Sequence, residues 1–195
     1  MAVPYKAPVK DIVFGYEVID SYNVLNKISA FSDFSEDIVI PTMEECAKFS
    51  EEVLAPINAI GDQQGATIKD GVVTMPEEFV DAYQKFAEAG WASISLPSDI
   101  GGGGMPITLS GGTLEILSTA NLAFGLAPGL SAGAISAINF HGSQEQKDKF
   151  LPKLVSGEWT GTMNLSEPQS GSDLGTITTK AEPQEDGSYK ITGTK

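Results

Sequence analysis

Apolar residues recur along most of this chain at three- and four-residue steps, broken by short stretches rich in Gly and Pro. From Ser35, the residues Met43, Ala47, Val53, Leu54, Ile57 and Ile60 fall on one helical face. Pro41 fits the first turn, Pro56 kinks the helix or ends its regular part, and Gly61 and Gly65 stop it. Lys69-Asp70-Gly71-Val72-Val73 reads as a turn with a short extended piece. Pro76-Glu77-Glu78 opens the next helix, where proline needs no N–H partner and carboxylates meet the positive end of the dipole. Phe79, Tyr83 and Phe86 share a face of it, and Gly90 closes it. Pro97 to Pro106 is an irregular loop, followed by helices over about 107–122 and 129–140. Ser143 with Gln146 forms a capping box for a last helix with Phe150, Leu151, Leu154 and Val155 on its apolar side, ended by Gly157. Ahead of these, residues 1–34 carry Pro4, Pro8, Gly15 and several aromatics, and read as a surface-lying tail with a short helix near 17–28.

After Gly157 the period changes. Trp159 to Leu165 alternates and reads as a strand, and a turn-rich stretch runs from Ser166 to Gly175. Thr176 to Ala181 and Ser188 to Thr192 read as two strands joined by the hairpin signal Glu185-Asp186-Gly187. Helices followed by strands predict an α+β chain in three parts. These are an N-terminal extension (1–34), an all-helical domain (35–158) and the opening of a β domain (159–195). Three strands bury little and leave open edges, so the sheet is expected to be incomplete within this chain.

Composition narrows the function classes. The formal net charge is −14, and all twelve basic residues are lysine. Nucleic-acid binding relies on clustered cations against phosphate, so no nucleic-acid partner is expected. Backbone N–H groups and hydroxyls remain able to hold an anionic cofactor. One cysteine and one histidine cannot build a Cys/His metal cluster, so no metal is expected. Cys46 lies in a helical pattern as a buried small residue, and His141 sits at a helix end. The longest weakly polar run, Ala120 to Phe140, is rich in Gly, Ala and Ser and holds Pro128, which suits packing in a soluble core. The start lacks the order of a signal peptide, so a cytoplasmic location with no membrane association is expected.

The stretch that carries chemistry is Thr160 to Asp173, TGTMNLSEPQSGSD. It delivers an extended segment into a loop of hydroxyls, glycine and free N–H groups, which can bond phosphate oxygens or the polar edge of a ring. The same residue types also make ordinary turns. The four-glycine run Gly101 to Gly104 lacks the strand, helix and lysine of a phosphate cradle and reads as a flexible connection.

The run MNLSEPQSGSDL resembles the flavin-binding signature of the acyl-CoA dehydrogenase family. AEAGWASISLPSDIGG, from Ala87, is similar to that family's helix end and following loop. HGSQEQKDKFLPKLVSGEW, from His141, is similar to its next helical segment. The order is that of the family's amino-terminal part, and residues 1–34 resemble a subgroup with an extension, typified by methylmercaptopropionyl-CoA dehydrogenases. The resemblance implies FAD as cofactor, an acyl-CoA substrate oxidised to a 2,3-enoyl-CoA, an electron-transfer flavoprotein as acceptor, and a homo-oligomer. It places Met163, Leu165 and Ser166 against the flavin ring, and Gly171 and Ser172 near the pyrophosphate, with Ser172 also reaching the CoA ester. Serine at 166 stands where the family usually has threonine, and keeps the hydroxyl; methionine at 163, where many members carry an aromatic, is a soft, polarisable substitute beside a ring. Glu167 and Asp173 match positions that fix the loop. The family's catalytic base lies in its carboxy-terminal helical domain, so no catalytic residue is expected in this chain. Alone it is expected to be inactive. An oxidase-like flavoenzyme and a non-catalytic interaction module are the alternative readings.

Overall fold

The computed structural model describes residues 4–195, which form two compact units, one ending at Gly161 and the other spanning Thr162–Lys195.

The first unit is helical. Helix α1 (Val9–Val18) places Val9, Ile12, Val13 and Tyr16 toward the core, and α2 (Ser21–Leu25) follows after Asp20 takes a left-handed conformation. The helix expected near 17–28 therefore starts earlier and is broken. The spacing 9, 12, 13, 16 carried that signal, and exposed Gly15 masked it. The segment's own side chains hold it to backbone carbonyls of the helical body. Tyr5 donates to the Ile116 carbonyl at 3.0 Å and Tyr16 to that of Thr108 at 2.5 Å.

Helix α3 (Glu36–Phe49) runs through a π-helical turn (Ser50–Leu54) into α4 (Ala55–Gln64), with Pro56 in the first turn of α4. The π turn absorbs the proline: the missing N–H and the ring clash fall where the i→i−4 ladder is already interrupted. Val39, Met43, Cys46 and Leu54 are fully buried. Burial pushes the Cys46 thiol up to about 12, and it donates weakly to the Thr113 carbonyl at 3.6 Å. Strands β1 (Thr67–Lys69) and β2 (Val72–Thr74) pair antiparallel around Asp70 and Gly71, both with positive φ. Helix α5 (Glu77–Glu88) then packs Phe79, Ala82 and Phe86 inward.

The glycine run 101–104 is not a flexible connection. Gly103 N–H bonds the Ser93 carbonyl and Gly104 N–H that of Leu96, each at 2.9 Å. A Cβ on Gly102 would sit 2.2 Å from the Leu96 carbonyl oxygen. The glycines let two backbone segments touch, a requirement that composition does not reveal.

Helix α6 (Ile107–Ala120) turns through Asn121 into α7 (Leu122–His141). The second of these begins seven residues before the expected Gly129 and contains Pro128. Its start is set by Asn121, whose side chain accepts the Phe124 N–H at 3.1 Å and donates to the Leu54 carbonyl at 3.2 Å. This helix is long and apolar enough to cross a membrane by length and composition, and most of it is exposed. It packs against α6 and α8 (Gln144–Val155) and, through Phe124, against Tyr83 and Phe86 of α5. The capping box of α8 forms as expected, with Ser143 Oγ accepting from Gln146 N and Gln146 Oε1 from Ser143 N.

Trp159 to Gly161 joins no strand among the described residues. Trp159 N–H bonds the Lys153 carbonyl at 2.9 Å and Gly161 N–H the Ser131 hydroxyl at 3.0 Å, so the start of the expected strand is held by helices. Residues 162–165 likewise lie outside any strand.

The second unit contains an exposed antiparallel hairpin, β3 (Lys180–Pro183) with β4 (Tyr189–Thr192), in register from Lys180↔Thr192 to Pro183↔Tyr189. The mainly helical chain with two small strand pairs bears out the α+β class.

Candidate functional site

The turn-rich loop expected to carry the chemistry, Ser166 to Gly175, lies wholly in the second unit. Its chain reverses tightly: Glu167 N–H donates to the Ser170 carbonyl at 2.8 Å, and Ser170 N–H returns a bond to Glu167 at 3.0 Å. Ser170 is fully buried and donates to the Asp173 carbonyl at 2.8 Å. Asp173 Oδ1 accepts the Gly175 N–H at 3.0 Å, which caps a short 3-10 turn, Leu174–Thr176. The Asp173 carboxylate is thus spent on the loop's own backbone.

Glu167 is the hub. Its Oε2 accepts from Thr178 N–H at 2.8 Å, Thr178 Oγ1 at 2.9 Å and Gln169 Nε2 at 2.6 Å. Its Oε1 accepts from Thr179 N–H at 3.0 Å and pairs with the Lys195 ammonium at 3.0 Å. The neighbouring Thr179 side chain, the Thr178 N–H and the Lys195 ammonium hold the Glu167 carboxyl far below the ordinary glutamate range. The Thr179 hydroxyl faces the carboxylate without a well-formed hydrogen bond. Because the N–H groups of 178 and 179 point at Glu167, they cannot enter a ladder. This is why β3 begins at Lys180 rather than at the expected Thr176.

The side chains singled out for a cofactor take no part in this arrangement. Met163, Leu165, Ser166, Gly171 and Ser172 are all exposed, Met163 by 68%. Among the described residues, the N–H groups of Ser166, Gly171 and Ser172 and both serine hydroxyls have no hydrogen-bond partner. A Cβ on Gly171 would meet nothing within 4 Å, so no contact inside the chain requires glycine there. Two exposed apolar side chains beside free donors fit a ligand with a flat apolar body, a polar edge and phosphate oxygens. The loop therefore suits a flavin dinucleotide. Sequence reasoning missed Gln169, Ser170, Thr178, Thr179 and Lys195. Only the lysine ending Thr-Gly-Thr-Lys could have been singled out, as a cation following the second strand.

The first unit holds a cleft of about 400 Å³ whose walls include Trp91, Leu96, Thr113, Leu117, Gly129 and Ile135. Close helix packing accounts for Gly125, whose Cβ would lie 3.2 Å from Ser118 Oγ. It does not account for Gly129 or Gly133, which have open space around them. Glu115 is exposed on α6, and His141 is exposed at the end of α7.

A helical unit followed by a loop that buries Glu167 and leaves its own N–H donors free describes an α+β chain. Residues 41–158 match the family described as acyl-CoA dehydrogenase, N-terminal domain, and the chain belongs to the acyl-CoA dehydrogenase family. It is 42% identical over 191 residues to 3-methylmercaptopropionyl-CoA dehydrogenase of Ruegeria pomeroyi, covering 98% of this chain and 32% of that protein. It is 34% identical over 196 residues to a butyryl-CoA dehydrogenase of Syntrophomonas wolfei, with the same coverage, 98% and 32%. The chain spans about a third of the length of these relatives. Among solved structures it resembles an acyl-CoA dehydrogenase complexed with FAD from Bacillus anthracis. That match has a TM-score of 0.68 and 25% identity, over 83% of this chain and 26% of the other. The fold also matches glutaryl-CoA dehydrogenase in its glutaryl-CoA complex, with a TM-score of 0.70 and 22% identity, over 82% and 38% of the two chains.

Proposed function

We propose that this chain forms the amino-terminal part of an FAD-dependent acyl-CoA dehydrogenase. The observation that carries the reading is the Glu167 clasp, which turns Ser166, Gly171 and Ser172 outward within the family's flavin-binding signature. In this reading Met163 and Leu165 cover the flavin ring, and Ser166 bonds its polar edge. Gly171 and Ser172 meet the pyrophosphate, with Ser172 also reaching the CoA ester. Bound FAD supplies the hydride acceptor for oxidation of an acyl-CoA to its 2,3-enoyl-CoA. The chain's own residues bind and orient; none of its carboxylates is assigned as the base. The cleft beside α6 and α7 takes part of the acyl chain, and open space around Gly129 lengthens it. The electron acceptor is an electron-transfer flavoprotein, and the enzyme is a cytoplasmic homo-oligomer of fatty acid metabolism without membrane or nucleic-acid partners. Residues 1–34, 35–158 and 159–195 serve as extension, helical domain and start of the β domain. The test is to denature the purified product of the whole gene and identify what is released. FAD is expected, and a protein with no flavin contradicts the proposal.

A further inference from the structure

Lys195 occupies a place that no feature of the signature itself explains. Its ammonium donates to the Leu165 carbonyl at 3.0 Å and pairs with Glu167 Oε1 at the same distance. The Glu167 side chain is 1% exposed and held by four further bonds, so its carboxylate is a fixed point. The ammonium thus ties the carbonyl of Leu165 to that point. The peptide joining Leu165 and Ser166 is planar and trans, so its N–H lies opposite its C=O. Holding the Leu165 carbonyl toward Lys195 directs the Ser166 N–H away from the clasp, where it has no partner among the described residues.

We propose that Lys195 is a positioning residue for the cofactor: it fixes the Leu165–Ser166 peptide plane so that the Ser166 N–H is presented to the flavin's polar edge. This inference rests on the flavin reading above. Lys195 does not touch the ligand; it acts through the peptide and through Glu167. Without it, the carbonyl would lose its charged donor and the plane would turn freely, since residues 162–166 belong to no ladder. A charge-assisted hydrogen bond sets the expected size of the effect.

The experiment uses the product of the whole gene, stripped of flavin and titrated with FAD while the visible absorption and circular dichroism of the bound flavin are recorded. Lys195→Met is expected to weaken FAD binding about tenfold to a hundredfold and to shift the flavin band, because a donor at the ring edge is lost. Lys195→Arg restores most of both. If Lys195→Met does not fold, Lys195→Gln takes its place, with an intermediate affinity and band expected. Wild-type affinity and an unshifted band in the folded Met or Gln variant overturn the proposal, even if its melting midpoint falls. A wild-type protein that takes up no FAD overturns the flavin reading and this inference with it.

Discussion

Replacing Asn121 by alanine isolates the corner that sets α6 against α7. Asn121 is 1% exposed, caps α7 through Phe124 N–H and reaches across to the Leu54 carbonyl beside the π turn. Loss of an N-cap side chain costs about 1 kcal/mol. Loss of a side-chain hydrogen bond of this kind costs about 1 kcal/mol more. The void left by the carboxamide, roughly 40 Å³, adds about 1 kcal/mol. The sum, about 3 kcal/mol, corresponds to a melting midpoint lower by about 6–12 °C for a domain of this size. Asn121→Ser keeps a capping oxygen and loses the reach to Leu54, so it should lose roughly two-thirds as much. Thermal melts followed by far-UV circular dichroism read both. An alanine variant within about 2 °C of wild type would refute the role given to this corner, and a serine variant as damaged as alanine would refute the capping share.

Glu167 and Cys46 give two further predictions. The folded state holds the Glu167 carboxyl below its ordinary range, so the stability it confers is complete above the unfolded glutamate value, about pH 4.3, and is lost as pH falls below it. Denaturant midpoints measured from pH 7 down to pH 3 should decline less steeply for Glu167→Gln than for wild type, and identical slopes would exclude the clasp as their source. The Cys46 thiol, fully buried and pushed up to about 12, should resist iodoacetamide at pH 8 in the native protein and react once denatured. Rapid native labelling would contradict the burial.

Elements that carry their own stop and start signals were legible from sequence. Ser143 with Gln146 announced α8, and Pro76 with two glutamates announced α5, because caps and dipoles act within one turn. Features decided across the chain were not. Trp159 to Leu165 alternates as a strand does, yet Trp159 gives its N–H to Lys153 of the preceding helix and Gly161 gives its own to Ser131, thirty residues earlier. Thr178 and Thr179 have strand-like side chains, but a buried carboxylate eleven and twelve residues earlier takes their donors. The five candidate cofactor contacts came from a signature. The reason they face outward, the inward-turned Glu167 with its lysine, required the three-dimensional arrangement.

The central claim is tested most directly by the anaerobic titration of the whole gene product with acyl-CoAs of graded chain length, followed at the flavin's visible band. The account predicts a yellow protein carrying FAD, bleached by one chain-length class and left unchanged by the others. A colourless protein that neither takes up FAD nor responds to any acyl-CoA would contradict it.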